Sequence, residues 1–262
     1  MIRTAWMYPD TLYLHGERGT VMALERMAAA MGAEMKTDKI DLGAGYFDPM
    51  DYEILFYGPG EIPSFEAVIK EISAYRERLR EFVESGRVLL VTGSSVGMFC
   101  RSVGLFGDGK AADGSRRISG LGLIPADALE REYVFGDDEL IDAVYNGRQM
   151  ELLGNQIQML DIYTDESEGF GSFGRVRYGR GNNGVDGSEG MICKNSVFTN
   201  MTGPLLVGNP WLTEEMIRCA AEASGIKLPQ NESAAPDRDH DLEKKSLELK
   251  KAFIKEKAAH GE

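Results

Sequence analysis

The feature that most constrains this chain is the run Arg87-Val-Leu-Leu-Val-Thr92, followed at once by Gly93-Ser94-Ser95-Val96-Gly97. An unbroken apolar run suits a strand covered on both faces. Glycine and two serines directly after it call for a sharp turn into a helix. Further strands and helices alternate upstream. Residues 2–8, 34–42 and 52–57 read as strands. Residues 20–32 carry Val21, Met22, Leu24, Met27 and Ala28 at helical spacing, and 65–86 read as one long amphipathic helix. Strand and helix in alternation predict an α/β fold with a mostly parallel sheet. Sites in such sheets form beyond the carboxyl ends of the strands. The loops at 9–19, 58–63 and 92–95 are therefore the expected pocket walls.

The texture changes after residue 106. Residues 107–122 are polar and glycine-rich, and 155–164, 173–178 and 190–199 read as short strands of a more antiparallel half. A glycine and asparagine loop at 178–190 suits left-handed backbone. A helix is expected over 213–225. This organisation predicts one domain over 1–228, then a linker and a charged tail helix over 229–262, with a thin apolar face at Leu247, Leu249, Phe253 and Ile254.

Composition excludes several function classes. A net charge of −13 repels phosphate backbones and anionic lipid, so neither nucleic acid nor a membrane surface is an expected partner. Cys100, Cys193 and Cys219 give no disulfide framework and no metal-ligand spacing. Asp108 and Asp113 lack the spacing of a calcium loop, and Asp161, Asp165, Glu166 and Glu168 read as solvated loop acids. The first residues lack the basic and apolar blocks of a signal peptide, which makes a cytoplasmic setting the expectation.

Gly93-x-Ser95-x-Gly97 has the form of a hydrolase nucleophile elbow. A serine nucleophile needs a base, usually histidine. The chain holds His15, His240 and His260 only, and the two that follow Ser95 lie in the charged tail. The plainer reading is that Gly93, Ser94 and Ser95 form a tight turn and cap a helix.

Five stretches resemble a known family. They are Tyr8-Pro9-Asp10-x-Leu12-x-Leu14-x-Gly16-x-Arg18-Gly19, Tyr57-Gly58-Pro59-Gly60, Gly120-Leu121-Gly122, Gly179-x-Gly181-Asn182-Asn183 with Glu189-Gly190, and Gly203-Pro204. Over residues 2–225 the chain resembles the class I glutamine amidotransferases of the cobyric acid synthase type, nearest to their lipid II isoglutaminyl synthase branch. The resemblance implies a three-layer, flavodoxin-like fold, no cofactor, and a Mur-ligase-like synthetase subunit as partner. It also places the pocket at Gly58, Pro59, Gly60, Gly93, Ser94 and Ser95, with an amide or amino-acid ligand.

On that template the catalytic cysteine falls on Thr92 and the catalytic histidine on Thr202. A threonine hydroxyl without a histidine beside it is a poor substitute for a thiolate. Pro59 has no N–H to offer a developing oxyanion, a loss worth roughly two to three powers of ten in rate. Arg131 is the nearest counterpart of the family's glutamine-binding arginine. Cys100, expected about two turns into the next helix, and Cys193, expected mid-strand, read as packing residues. His15 stands near the pocket, with a solvated turn as its plainer reading. Two functions stay open. One is a homologue without glutaminase activity, acting as a binding or partner subunit. The other is an amidotransferase or hydrolase of altered chemistry at the same pocket, in cell-wall or corrinoid amidation.

Overall fold

The computed structural model describes residues 1–106, 116–229 and 240–260. The first hundred residues alternate as β1 (Ile2–Met7), α1 (Arg18–Ala30), β2 (Met35–Ile40), β3 (Ile54–Tyr57), α2 (Phe65–Ile72), α3 (Arg76–Glu84), β4 (Val88–Thr92) and α4 (Val96–Phe99). Every residue of β3 and β4 is buried, which their unbroken apolar runs require. The single helix expected over 65–86 is instead two, separated by a 3₁₀ turn at Ser73–Tyr75. There the Ser73 hydroxyl donates to the Ile69 carbonyl at 2.6 Å, a competition for helical acceptors that bends helices.

The second half contributes β5 (Ser102–Gly104), β6 (Arg117–Ser119), β7 (Ala126–Tyr145), β8 (Arg148–Thr164), β9 (Gly171–Tyr178), β10 (Ser188–Cys193), β11 (Ser196–Thr199) and β12 (Met201–Thr202). Helices α5 (Leu205–Gly208), α6 (Pro210–Ala223) and α7 (Asp241–His260) follow. One sheet runs in the order β12-β8-β7-β9-β10-β11-β4-β3-β1-β2. Pairing is parallel from β2 to β11 through β1, β3 and β4, and antiparallel from β11 to β12. The α/β class with a mostly parallel first half thus stands, and a long antiparallel extension is added to it.

Three elements depart from the sequence reading. Strand β7 is not visible as an alternating pattern because residues 131–134 interrupt it: Glu130 pairs with Leu160, but the next pair is Phe135 with Gln158. Residues 190–199 are not one strand but a hairpin, turning at Lys194 with φ +50. Cys193 therefore ends a strand and does not sit in the middle of one. Helix α4 stops at Phe99, and Cys100 is extended with ψ 172, so it is not two turns into a helix. The turn Gly120-Leu121-Gly122 causes this. Its amides at 121 and 122 donate to the carbonyls of Met98 and Cys100, and a Cβ on Gly120 would lie 2.1 Å from the Cys100 oxygen.

Apolar residues fill both faces of the sheet, under α2 and α3 on one side and under α1 and α6 on the other. Helix α7 docks on the antiparallel extension. Leu247 and Ile254 cover Leu140, while Lys250 and Lys257 pair with Asp138 and Asp137. Leu249 and Phe253, expected on the same apolar face, remain exposed because they stand two residues from Leu247 and one from Ile254, offsets that turn a helical side chain well away. Most of the expected linker, like Asp108 and Asp113, lies outside the described residues. No described helix is long and apolar enough to cross a membrane.

Candidate functional site

The three expected wall loops do meet at the carboxyl ends of β1, β3 and β4, and they close on one another. Ser94 Oγ donates to the Gly60 carbonyl at 2.6 Å and accepts from the Gly60 amide at 3.1 Å. Ser95 Oγ donates to the Gly58 carbonyl at 2.6 Å. The Leu14 amide donates to the Pro59 carbonyl at 3.1 Å. Neither serine caps a helix; both hydroxyls lace the elbow to the glycine loop. Glycine is needed at 58, where a Cβ would lie 2.9 Å from the Leu12 oxygen; at 60 a Cβ would lie 2.3 Å from Leu12 Cδ2 and would displace that side chain.

Thr92 and Thr202 are both fully buried, but no hydrogen bond joins them. Thr92 is extended (φ −117, ψ 148) and its hydroxyl faces the Tyr57 carbonyl at 3.4 Å. Thr202 Oγ1 donates to the Asn155 carbonyl at 3.1 Å. The residue aimed at Thr202 is the next one along. Gly93 has φ +58, and an ideal Cβ on it lies 2.8 Å from Pro59 Cβ and 2.8 Å from Thr202 Cγ2. The wall position between Pro59 and Thr202 is thus held by Gly93. A positive φ on a sharp strand-to-helix turn is how an elbow presents its central side chain.

The other expected site residues are engaged elsewhere. Arg131 and Arg180 both grip Asp161, with contacts of 3.0 and 3.1 Å. Arg131 is therefore not a free guanidinium, and Asp161 is a buried strand residue and not a solvated loop acid. Asp165 pairs with Arg101 at 2.6 Å. His15 is half-buried in left-handed backbone (φ 63), which corrects its reading as a solvated turn. Burial lowers its pKa, and its Nε2 has no partner among the described residues. Burial raises all three thiols, that of Cys100 most, so none is poised as a thiolate.

Sequence reasoning missed four buried glutamates: Glu215 on α6 and three others. Glu17 precedes α1 and accepts from Thr20 Oγ1 at 2.9 Å and the Gly203 amide at 3.3 Å, and burial pushes its pKa up to about 7. Glu189 accepts from Thr199 Oγ1 at 2.5 Å and the Asn200 amide at 2.7 Å, fixing the segment that leads to Thr202. Glu139 accepts from the Gly181 amide at 2.7 Å. Burial raises the pKa of both, and the Glu189 charge raises Glu139 further. The glycine and asparagine loop serves the same layer: Asn182 Nδ2 and Oδ1 bond the Gly190 carbonyl and amide. The Glu189-Gly190 dipeptide was the only sequence signal, since spacing cannot show that a carboxyl is buried.

No family model matches the chain. It is 25% identical over 240 residues to lipid II isoglutaminyl synthase (glutamine-hydrolyzing) subunit GatD of Streptococcus pneumoniae strain ATCC BAA-255 / R6, covering 88% of this chain and 86% of that protein. It is also 25% identical over 250 residues to GatD of Staphylococcus aureus strain N315, covering 95% of each. Among solved structures it is similar to the glutaminase domain of Trypanosoma brucei CTPS with bound acivicin. That match has a TM-score of 0.51 at 10% identity, covers 88% of this chain and 98% of that one, and concerns the fold alone. The chain is a homologue of the GatD subunits with a glutamine amidotransferase-like fold.

Proposed function

We propose that this chain is a non-hydrolytic member of a lipid II amidating assembly, a GatD-like subunit that has kept the scaffold and lost the glutaminase chemistry. The observation that carries the reading is Gly93. The position where an elbow would project a nucleophile has no side chain, and its space is taken by Pro59 and Thr202. Three further features agree. Thr202 stands where the resemblance calls for the histidine, and Thr92 spends its hydroxyl on a backbone carbonyl. Pro59 offers no amide, and the Gly60 amide is already bonded to Ser94 Oγ. With thiol, imidazole and oxyanion donors absent together, thioester formation from glutamine has no nucleophile, no base and no charge stabilisation.

The retained role is structural partnership. The chain spans nearly the full length of relatives named as synthase subunits, which supports a Mur-ligase-like synthetase as its partner in the cytoplasm. The test is ammonia release from glutamine by the purified chain, alone and with that synthetase. No release is expected. Steady turnover by the unmodified chain would sink the proposal and leave altered chemistry at the same turn. A triple variant, Pro59→Gly with Gly93→Cys and Thr202→His, is expected to bring back alkylation of a reactive thiol. Thr92→Cys with Thr202→His is expected to stay unreactive.

A further inference from the structure

The layer between β7 and β10 holds two carboxyls, and its surroundings offer them no cation. Glu139 and Glu189 are both 0% exposed. They approach one short stretch of chain from two sides. Glu139 pairs with Gly154 of β8, and a Cβ on that glycine would lie 2.8 Å from Met201 Cε. Glu189 accepts from Thr199 Oγ1 and the Asn200 amide. Gly181 stands between the two glutamates. Its amide donates to Glu139 Oε1 at 2.7 Å, and a Cβ on it would run into the carbonyl of Ser188, the residue before Glu189. The second oxygen of each carboxyl is buried and has no partner among the described residues. The two groups are near enough that the Glu189 charge raises the Glu139 carboxyl.

The charged groups on the packed elements are committed elsewhere. Arg131 and Arg180 hold Asp161. Lys250 and Lys257 of α7 hold Asp138 and Asp137, and Asp137 also accepts from the Tyr178 hydroxyl. Arg177 of β9 pairs with Asp142 and Glu151. Arg175 is exposed opposite Ser188, so it lies on the other face of the sheet from Glu189. Asp186 accepts from Ser188 and Asn183. Glu17 meets only the far end of the segment, at the Gly203 amide.

Two neighbouring carboxylates out of water and without a cation do not both stay ionised. A protonated carboxyl supplies a donor, and the free oxygen of its neighbour is an acceptor. Glu189 already receives two donors and Glu139 one, which makes Glu189 the better carboxylate and Glu139 the better acid. We infer that Glu139 and Glu189 hold one proton between their free oxygens at neutral pH, Glu139 as the acid, and that this proton latches residues 199–203 against β7. Its loss sets two like charges side by side. Strand β7 is paired on both sides, whereas β12 is two residues long, so the segment carrying Thr202 is the part that yields. The latch acts on a wall of the elbow and does not depend on whether that elbow hydrolyses glutamine.

The full chain labelled with ¹³C and ¹⁵N reports both halves of the claim. Side-chain carboxyl shifts, assigned through bonds, should show Glu139 as the acid at about pH 7.5, where an ordinary glutamate is ionised. Both residues as carboxylates at that pH overturn the inference. Amide exchange, corrected for its intrinsic rate, is then followed from about pH 6 to about pH 10. Protection of the Asn200 amide should fall at least about tenfold, with the amides of β4 unchanged. Glu139→Gln puts a non-titrating N–H donor in place of the proton, so Asn200 protection should become flat with pH. A parent chain whose Asn200 protection does not change, or a Glu139→Gln chain that loses it as the parent does, overturns the inference. If Glu139→Gln does not fold, the carboxyl shifts of the parent chain decide.

Discussion

The elbow after β4 and the carboxyl layer between β7 and β10 are both buried and both polar, yet they are built on opposite terms. At the elbow every side-chain hydroxyl of Thr92, Ser94 and Ser95 donates to a backbone carbonyl. In the carboxyl layer Glu139 and Glu189 each keep an oxygen without a partner among the described residues, as does Gln158. The region that looked catalytic in sequence has all three hydroxyls satisfied. The region that drew little notice holds the electrostatic tension. Motif shape alone does not separate a working turn from a structural one; where each donor's hydrogen bond goes does.

The contrast can be broken most forcefully at Glu189. Replacing it by alanine strips the acceptor from Thr199 Oγ1 and the Asn200 amide. Two buried donors left unpaired should cost about 2–5 kcal/mol in denaturant unfolding. A loss within error would mean that the layer is open to water and the contrast false.

The next effect is on pH. Folded carboxyls raised from 4.5 to about 7 bind protons that the unfolded chain has released. The stability they give is full below 4.5, declines as pH climbs, and is gone above about 7. Midpoint denaturant should fall over that window by an amount worth a few kcal/mol. Below 3.8 the opposite trend takes over, as Asp38 beside Lys36 and Asp48 beside Arg78, both held low, become protonated. Glu189→Gln should flatten the upper limb, and an unchanged slope would clear that residue of the effect.

At the elbow smaller changes are expected. Gly93→Ala must place a methyl 2.8 Å from two side-chain carbons in left-handed backbone, a cost of about 1–3 kcal/mol. Adding Pro59→Gly should return part of it, and the absence of any rescue would show that Pro59 does not close the space. Ser95→Ala removes one buried hydrogen bond to Gly58 and should cost about 1 kcal/mol. Thermal unfolding of the pair sharpens the claim that these serines are structural.

Much of the scaffold was legible in residue patterns. The runs at β3 and β4 read correctly because a strand buried on both faces leaves an almost unbroken apolar signature. Strand β7 did not read, because its residues 131–134 break the period and its faces meet different neighbours. The glycines at 58, 60, 120 and 190 were visible as motifs, but their reason was not. Each is glycine because another stretch of chain passes within a Cβ's reach.

The sequence by itself determined the alternation of the first half, the acidic surface, and the lack of a histidine close after the elbow. These follow from composition and local periodicity, which need no knowledge of distant contacts. Only the tertiary structure decided that Gly93 faces Thr202, that Arg131 is held by Asp161, and that four glutamates lie out of water. Direction, pairing and burial depend on residues far apart in the chain, and a one-residue step at a turn redirects a side chain without changing the pattern around it.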